Sequence, residues 1–268
     1  MPRIEIITRI EGPPTGELAP GVEFRILATG SMGARGLTTC LAKLRPAAEL
    51  PYHRHPCSEV MIVVEGEALA CVRSRRYHLR QYDALHVPAG FAHSVRNASG
   101  EKPALLHSSF ASDNPAREQV KETFTVSDLA SSPRNGPEHL VRFDMAKVYE
   151  LAPQAMFRDL FNRHLGSRGV CGGYGIFAPG TSLPCHYHEY DESITIVTGS
   201  AICQVAGREY ELSGCDTGCI PKHRPHRFLN RSSAPMAMIW VYGGDEPERT
   251  LLEAGYCEGT KPFTGAWR

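Results

Sequence analysis

Neither sign of charge is in excess in this chain. Its 268 residues carry 29 Lys and Arg against 29 Asp and Glu, so the formal net charge is zero. That balance excludes the surplus positive charge that drives nonspecific binding to nucleic acid or to an anionic membrane. Long apolar runs are missing too. The longest, such as Met236 to Val241, fall far short of the ~20 residues a spanning helix needs. The opening Met-Pro-Arg-Ile-Glu-Ile-Ile has no apolar signal-peptide core. None of the nine cysteines forms a C-x-x-C pair. Scattered, odd in number and without an export signal, they read as reduced thiols, and a cytoplasmic location is expected. What the chain has in quantity is punctuation. Its 25 glycines and 20 prolines separate short alternating apolar runs, the mark of a β-rich protein with many turns.

A repeat organises these runs. Shifted by 133 residues (His53 to His186), the sequence matches itself without a gap. Phe24-Arg25 falls on Phe157-Arg158, Leu50-Pro51 on Leu183-Pro184, Gly66 on Gly199, Tyr77 on Tyr210 and Asp83 on Asp216. With a slip of one, Asp113 to Arg117 falls on Asp245 to Arg249. The predicted organisation is an N-terminal barrel at 20–112, a strap at 113–152, a C-terminal barrel at 153–246 and a tail at 247–268. Val60 to Val64, a turn at Glu65-Gly66-Glu67, then Leu69 to Val72 is a strand–turn–strand pattern, repeated from Ser193 to Val205. The fold class is therefore all-β: two tandem antiparallel barrels of six to eight strands, with the strap packed across one of them. The Ser131 to Pro137 stretch is a loop signature within that strap.

The chemistry lies in a constellation present twice. Each unit holds His-x-His, then three residues, then Glu: His53, His55 and Glu59, and His186, His188 and Glu192. A further His follows 34 residues after each Glu, at His93 and His226. On a strand, residues i and i+2 point to the same face, so both His of His-x-His look into one interior. Glu and the distant His reach the same interior from other strands. Three neutral imidazoles and a carboxylate suit a divalent transition metal and leave coordination positions open. Four such residues at matching spacing, twice, are not satisfied core histidines, and two ions per chain are expected.

These motifs resemble the cupin superfamily, and the duplication resembles a bicupin. The first motif, G-x5-H-x-H-x3,4-E-x6-G, is complete in the second unit at Gly180, His186, His188, Glu192 and Gly199. In the first unit its leading Gly is Ala47. The second motif is met at Pro88, Gly90, His93 and Asn97, but its leading Gly is Tyr82, and Cys215 in the second unit, where His223 also replaces the later Gly. The resemblance implies a double-stranded β-helix, or jelly roll, in each unit. It implies Fe(II) or Mn(II) as the ion, with Ni(II) or Zn(II) open, and dioxygenase-type chemistry on a small, oxygen-rich substrate. Non-redox isomerase, hydrolase or decarboxylase action on a hydroxy or keto acid is the alternative, and ligand binding without turnover a third reading.

Other residues carry weaker signals. Arg25/Arg158, Arg35/Arg168 and Arg75/Arg208 recur, and read first as structural partners of carboxylates or backbone, second as holders of a carboxylate-bearing substrate. Tyr52 and Tyr187 alternate away from the ligands, whereas Met61, Val63, Ile194, Ile196 and Phe228 share their parity. Arg73 to Arg76 reads as a solvated turn, having no aromatic platform for nucleic acid. Lys222, His223 and Arg224 place two cations and an imidazole just before a ligand. That favours the second unit as the catalytic one, with His223 and Glu192 as the proton-moving groups. The expected partner is a small-molecule substrate, with no nucleic acid and no membrane; the strap and the tail after Asp245 are the candidate covers of sheet edges, either within one chain or across a homodimer.

Overall fold

The structure, a computed structural model, describes residues 3–126 and 136–263. Of the predicted loop at 131–137, residues 131–135 lie outside the described residues. Two pairs of sheets form two barrels, and the one α-helix among the described residues is Ala254–Glu258. The first barrel has a seven-stranded sheet in the order His139–Val141, Ala84–Val87, Glu59–Glu65, Ala104–Phe110, Thr38–Leu44, Val22–Ala28 and Gly16–Ala19. Its five-stranded sheet runs Glu118–Gln119, Glu49–Arg54, His93–Asn97, Ala68–Val72 and Arg75–Leu79. The second barrel repeats both sheets, and all pairings are antiparallel. Among the described residues each barrel holds twelve strands, more than the six to eight that the repeat predicts: nine lie within its own unit and three come from segments outside it.

Continuous apolar strands mark where the two barrels meet. In Glu59–Glu65, Met61 and Val63 belong to the core inside the first barrel. The alternate residues Val60, Ile62 and Val64 join Leu160, Phe161, Ile239 and Val241 of the second barrel in a shared core. A strand buried on both faces has no polar side to show, which is why the sequence reads Val-Met-Ile-Val-Val without alternation. The matching strand Glu192–Thr198 sends Ile194 and Ile196 inward and sends Thr195 to the interface, where its hydroxyl lies 3.3 Å from His107 Nε2.

Each barrel is completed by a strand from outside it. The N-terminal strand Ile6–Thr8 pairs with Thr217–Ile220 of the second barrel, and His139–Val141 of the strap pairs with Ala84–Val87 of the first. These two strands are themselves 133 residues apart, so the repeat begins before residue 20, with an exchanged leading strand. Buried carboxylates fasten the exchange. Glu138 receives Tyr77 (2.5 Å) and Arg75 (2.6 Å). Its counterpart Glu5 receives Tyr210 (2.8 Å) and lies 3.1 Å from Arg208 and 2.8 Å from Arg224. Asp83 and Asp216 hold Arg142 and Arg9 in the same way. The recurring Arg75/Arg208 pair is thus structural. Arg25 and Arg158 serve carbonyls of the arm and strap, at Gly12 and at Phe143 and Ala146.

The strap and tail then cross the small sheets. Glu118–Gln119 pairs with Glu49–Arg54, and Thr250–Leu251 with His186–Tyr187. Tyr52 lies under strap residue Phe124 and Tyr187 beside tail residue Phe263, on the outer face as predicted. These covers come from the same chain, one of the two possibilities the sequence leaves open.

One sequence expectation needs correction here. Cys185 and Cys257 form a disulfide, with Cα atoms 5.8 Å apart. The nine cysteines are therefore not all reduced thiols and carry no argument for a reducing compartment. Docking of Ala254–Glu258 on the second barrel brings together two cysteines 72 residues apart, which no spacing rule reveals. The positions that depart from the motif's glycines also keep the glycine conformation. Ala47 (φ 58°), Tyr82 (φ 64°), Cys215 (φ 76°) and His223 (φ 64°) all sit in the left-handed region, where a Cβ costs of order 1 kcal/mol.

Candidate metal centres

Strand pleat and pairing assemble both ligand sets. His53 lies across from His93, and His186 across from His226, in adjacent strands of the small sheets. Glu59 and Glu192 come from the large sheets. In each set four donor atoms lie within 4.8 Å of one another and all four residues are buried. The eight residues singled out in the sequence are thus brought together as two metal-binding sites of three His and one Glu.

The ring orientations follow from one hydrogen bond per imidazole. Nδ1 of His53, His93, His186 and His226 donates to the carbonyl two residues earlier, at 2.8–2.9 Å. Nδ1 of His55 donates to Ala116 (2.7 Å), and that of His188 to Glu248. A carbonyl only accepts, so every Nδ1 carries a proton and every Nε2 is left to face the centre. His188 Nε2 is buried with no hydrogen-bond partner. His93 Nε2 lies 2.9 Å from Glu59 Oε2, and His226 Nε2 2.5 Å from Glu192 Oε2. Each pair shares either a proton, with the imidazole charged, or a cation bound by both atoms. The donor set, tautomers and orphaned nitrogen fit a divalent transition metal.

Electrostatics favour an ionised carboxylate at both centres. Burial, with the charge of His93, pushes His53 down to about 3, and burial takes His186 well below its ordinary value. Burial alone would raise Glu59, but His93, His55 and His53 outweigh it and hold the carboxyl near 2. Glu192 is likewise held well below the usual carboxylate range by His188 and His226, against its burial. His93 runs the other way: burial alone would lower it, but its hydrogen bond to Glu59 and that carboxylate's charge raise it, so an ion binding there displaces a proton.

The two interiors differ. A cavity of about 190 Å³ opens on His53, His55 and Glu59 in the first barrel, walled by Phe24, Ile26, Leu106 and Phe110. Ser108, which pairs across to Met61 and Cys40, also lines it. The equivalent position in the second barrel, pairing with Ile194 and Gly173, is Trp240. Trp240 is 2% exposed, so its indole fills the second barrel at the place Ser108 leaves open. A Cβ on Gly173 would meet its ring at 2.8 Å, so the sequence makes room for it. Tyr242 packs between this indole (4.9 Å) and His188 (4.4 Å), as Phe110 packs against His55 (4.9 Å).

The second-unit loop lies differently from the role its charges suggest. Arg224 is buried against Glu5 and so serves the strand exchange. His223 lies 2.5 Å from Glu189 at the rim, and its backbone N–H donates to His188. Cys185 is spent in the disulfide, and Cys57 is not among the donors that converge on the first centre. Sequence reasoning missed the carbonyls of Ala116 and Glu248, since backbone groups leave no residue signature; the slipped repeat of strap and tail was the available clue. Asn97 and Asn230, noticed only as motif members, tie turns together through their side-chain amides.

Comparison with known proteins follows this geometry. A family model described as the cupin domain matches residues 40–110 and again 173–242. A germin-like protein of Morus alba is 35% identical over 107 residues, covering 37% of this chain and 51% of that protein. A gentisate 1,2 dioxygenase of Aquipseudomonas alcaligenes is 28% identical over 140 residues, covering 47% and 40%. The chain thus spans about half the length of the first curated relative and less of the second. Among solved structures, the Mn(II)-containing oxalate decarboxylase of Bacillus subtilis superposes with a TM-score of 0.72 at 15% identity, over 94% of this chain and 80% of that one. That likeness is one of fold. No helix among the described residues is long and apolar enough to cross a membrane.

Proposed function

The chain belongs to the cupin domain family, with two copies of the domain in tandem, and from that premise we propose that it is a metal-dependent oxidoreductase of the dioxygenase type that turns over a small organic substrate at the first ligand set. The cavity carries this reading: it opens on His53, His55 and Glu59, while Trp240 fills the matching space of the second barrel. We therefore assign turnover to the first unit, where the sequence alone favoured the second.

The wall chemistry favours oxidation. A bound Fe(II), or Mn(II), would supply Lewis acidity, redox capacity and coordination positions beyond its four protein ligands. The chain does the rest. Ala116, Pro51 and Phe91 carbonyls hold the imidazoles in register, and the apolar walls keep bulk water from the site. A non-redox isomerase, hydrolase or decarboxylase needs a group to carry a proton. Apart from the ligands, the titratable groups on the cavity wall are Cys40, whose thiol burial pushes up to about 12, and Arg117, which stays charged; the other polar groups are the neutral Asn114 amide and the hydroxyls of Thr29, Thr38 and Ser108. His223 belongs to the other unit. The gentisate dioxygenase relative supports the oxidative reading, and the oxalate decarboxylases supply the fold of its alternative.

The test is oxygen uptake by Fe(II)-loaded protein against a panel of catechols, hydroxylated acids and diketones. Substrate-dependent uptake that His55→Ala abolishes and His188→Ala largely spares is the expected result. Product formed without oxygen in the Mn(II) form would establish the non-redox alternative. Saturable binding with no product under any metal would make the chain a binding module.

A further inference from the structure

The duplication supplies an internal template for what the first barrel holds. Ser108 and Trp240 occupy one register position in two copies of one sheet: Ser108 faces Met61 and Cys40, and Trp240 faces Ile194 and Gly173. The neighbours toward the metal are also equivalent, since Phe110 stands beside His55 as Tyr242 stands beside His188. The volume left open in the first barrel is therefore the volume that an indole fills in the second. There the indole lies against the Tyr242 ring at 4.9 Å, one ring removed from a ligand imidazole. A planar aromatic body entering the first barrel would meet Phe110 in the same way and bring its edge to the ligands.

The mouth adds a charge. Arg117 of the strap lines the cavity from its exposed end. Its guanidinium donates to the Leu18 carbonyl at 3.2 Å and, among the described residues, meets no carboxylate. The guanidinium geometry suits a carboxylate held bidentately. No cation lines the depth of the cavity, so a small dianion with charge at both ends would leave one end unpaired among apolar walls.

The geometry points to an aromatic carboxylate as the ligand of the first barrel, its ring in the space that Trp240 fills in the second and its carboxylate on Arg117, with Ser108 and Arg117 as the residues that set specificity. This inference rests on the first barrel being the substrate site, but not on the reaction being an oxidation.

Isothermal titration of the full chain loaded with Zn(II), under nitrogen, separates the two. The probes are benzoate, phenol and butanoate: ring with carboxylate, ring alone and carboxylate alone. Benzoate should bind once per chain, with phenol and butanoate each about 10–100-fold weaker, the range of one charge-assisted contact or one buried ring. Arg117→Gln, at an exposed position, should weaken benzoate by about 10–100-fold and leave phenol unchanged. Ser108→Trp should abolish benzoate binding while both ions stay bound. Ser108→Leu, a smaller intrusion, should weaken benzoate at least tenfold if the Trp variant does not fold. Butanoate binding as tightly as benzoate, benzoate unaffected by Arg117→Gln, or benzoate unaffected by a folded Ser108 variant would each overturn the inference. Benzoate binding without oxygen uptake from any aromatic acid would sink the oxidative reading alone. Oxygen uptake driven by an aliphatic acid, with no benzoate binding, would sink this inference alone.

Discussion

Ala47 is an alanine in a glycine's conformation, at φ 58° and exposed, so burial of its methyl group does little to offset the strain. Tyr82 shares the strain, but its ring packs on Phe143 (5.2 Å) and Tyr174 (4.8 Å). Ala47→Gly should therefore raise stability by about 0.5–1 kcal/mol, read from urea midpoints, whereas Tyr82→Gly should lower it. His107 is a second single-residue case. It is fully buried between the barrels, and burial pushes it down to about 4. An unfolded chain takes up a proton there near 6.5, the folded chain only near 4. Stability is then complete above 6.5 and declines as pH falls toward 4, by up to about 3 kcal/mol from this group. His86, pushed down to about 4 by burial and by His139, acts in the same direction. A His107→Gln variant should show a flatter stability profile between pH 6.5 and 4 than the parent; an identical slope would show that His107 is not the group.

The tail acts as an element on the second metal site. Its Glu248 carbonyl orients His188, Thr250–Leu251 pairs beside His186, and the disulfide fastens Ala254–Glu258 behind them. A chain ended after Asp245 should keep its first ion and bind the second about 10–100-fold more weakly, the usual cost of losing an outer-shell partner. Metal analysis after dialysis against a mild chelator reads this directly, and equal retention of both ions would count against the role of the tail. Cys257→Ser leaves the tail in place but opens a loop of 72 residues. The chain-entropy argument puts the loss near 4 kcal/mol, read as a fall in denaturant midpoint that reducing agent should reproduce in the parent.

At the scale of the whole molecule, neither barrel is complete alone. The second borrows Ile6–Thr8 and Glu5, and the first borrows His139–Val141 and Glu138. Removing residues 1–12 takes the carboxylate from buried Arg224 and the strand from the edge at Thr217–Ile220. Losing one partner of a buried pair costs about 3–5 kcal/mol. The shortened chain should melt at lower temperature and release its second ion first, followed by calorimetry with metal release. Unchanged melting would show that the exchange contributes little.

Composition and spacing alone determine the β-rich duplication and all eight ligands. His-x-His and Glu record strand pleat, a local periodicity that survives in one dimension, and the repeat states it twice. Even the strained positions are visible, because Ala47, Tyr82, Cys215 and His223 stand where the motif has glycine. Which barrel is open was decided only in three dimensions. The sequence drew attention to charges near His226, yet Arg224 turns out to serve Glu5 beside the borrowed N-terminal strand. The deciding residue, Trp240, sits in an ordinary apolar run and matters only through its cross-strand partners Ile194 and Gly173. The Cys185–Cys257 bond, the exchanged strands and the carbonyls of Ala116 and Glu248 share that character. Each joins segments distant in sequence through packing or backbone, and neither packing partners nor backbone direction is written in residue type.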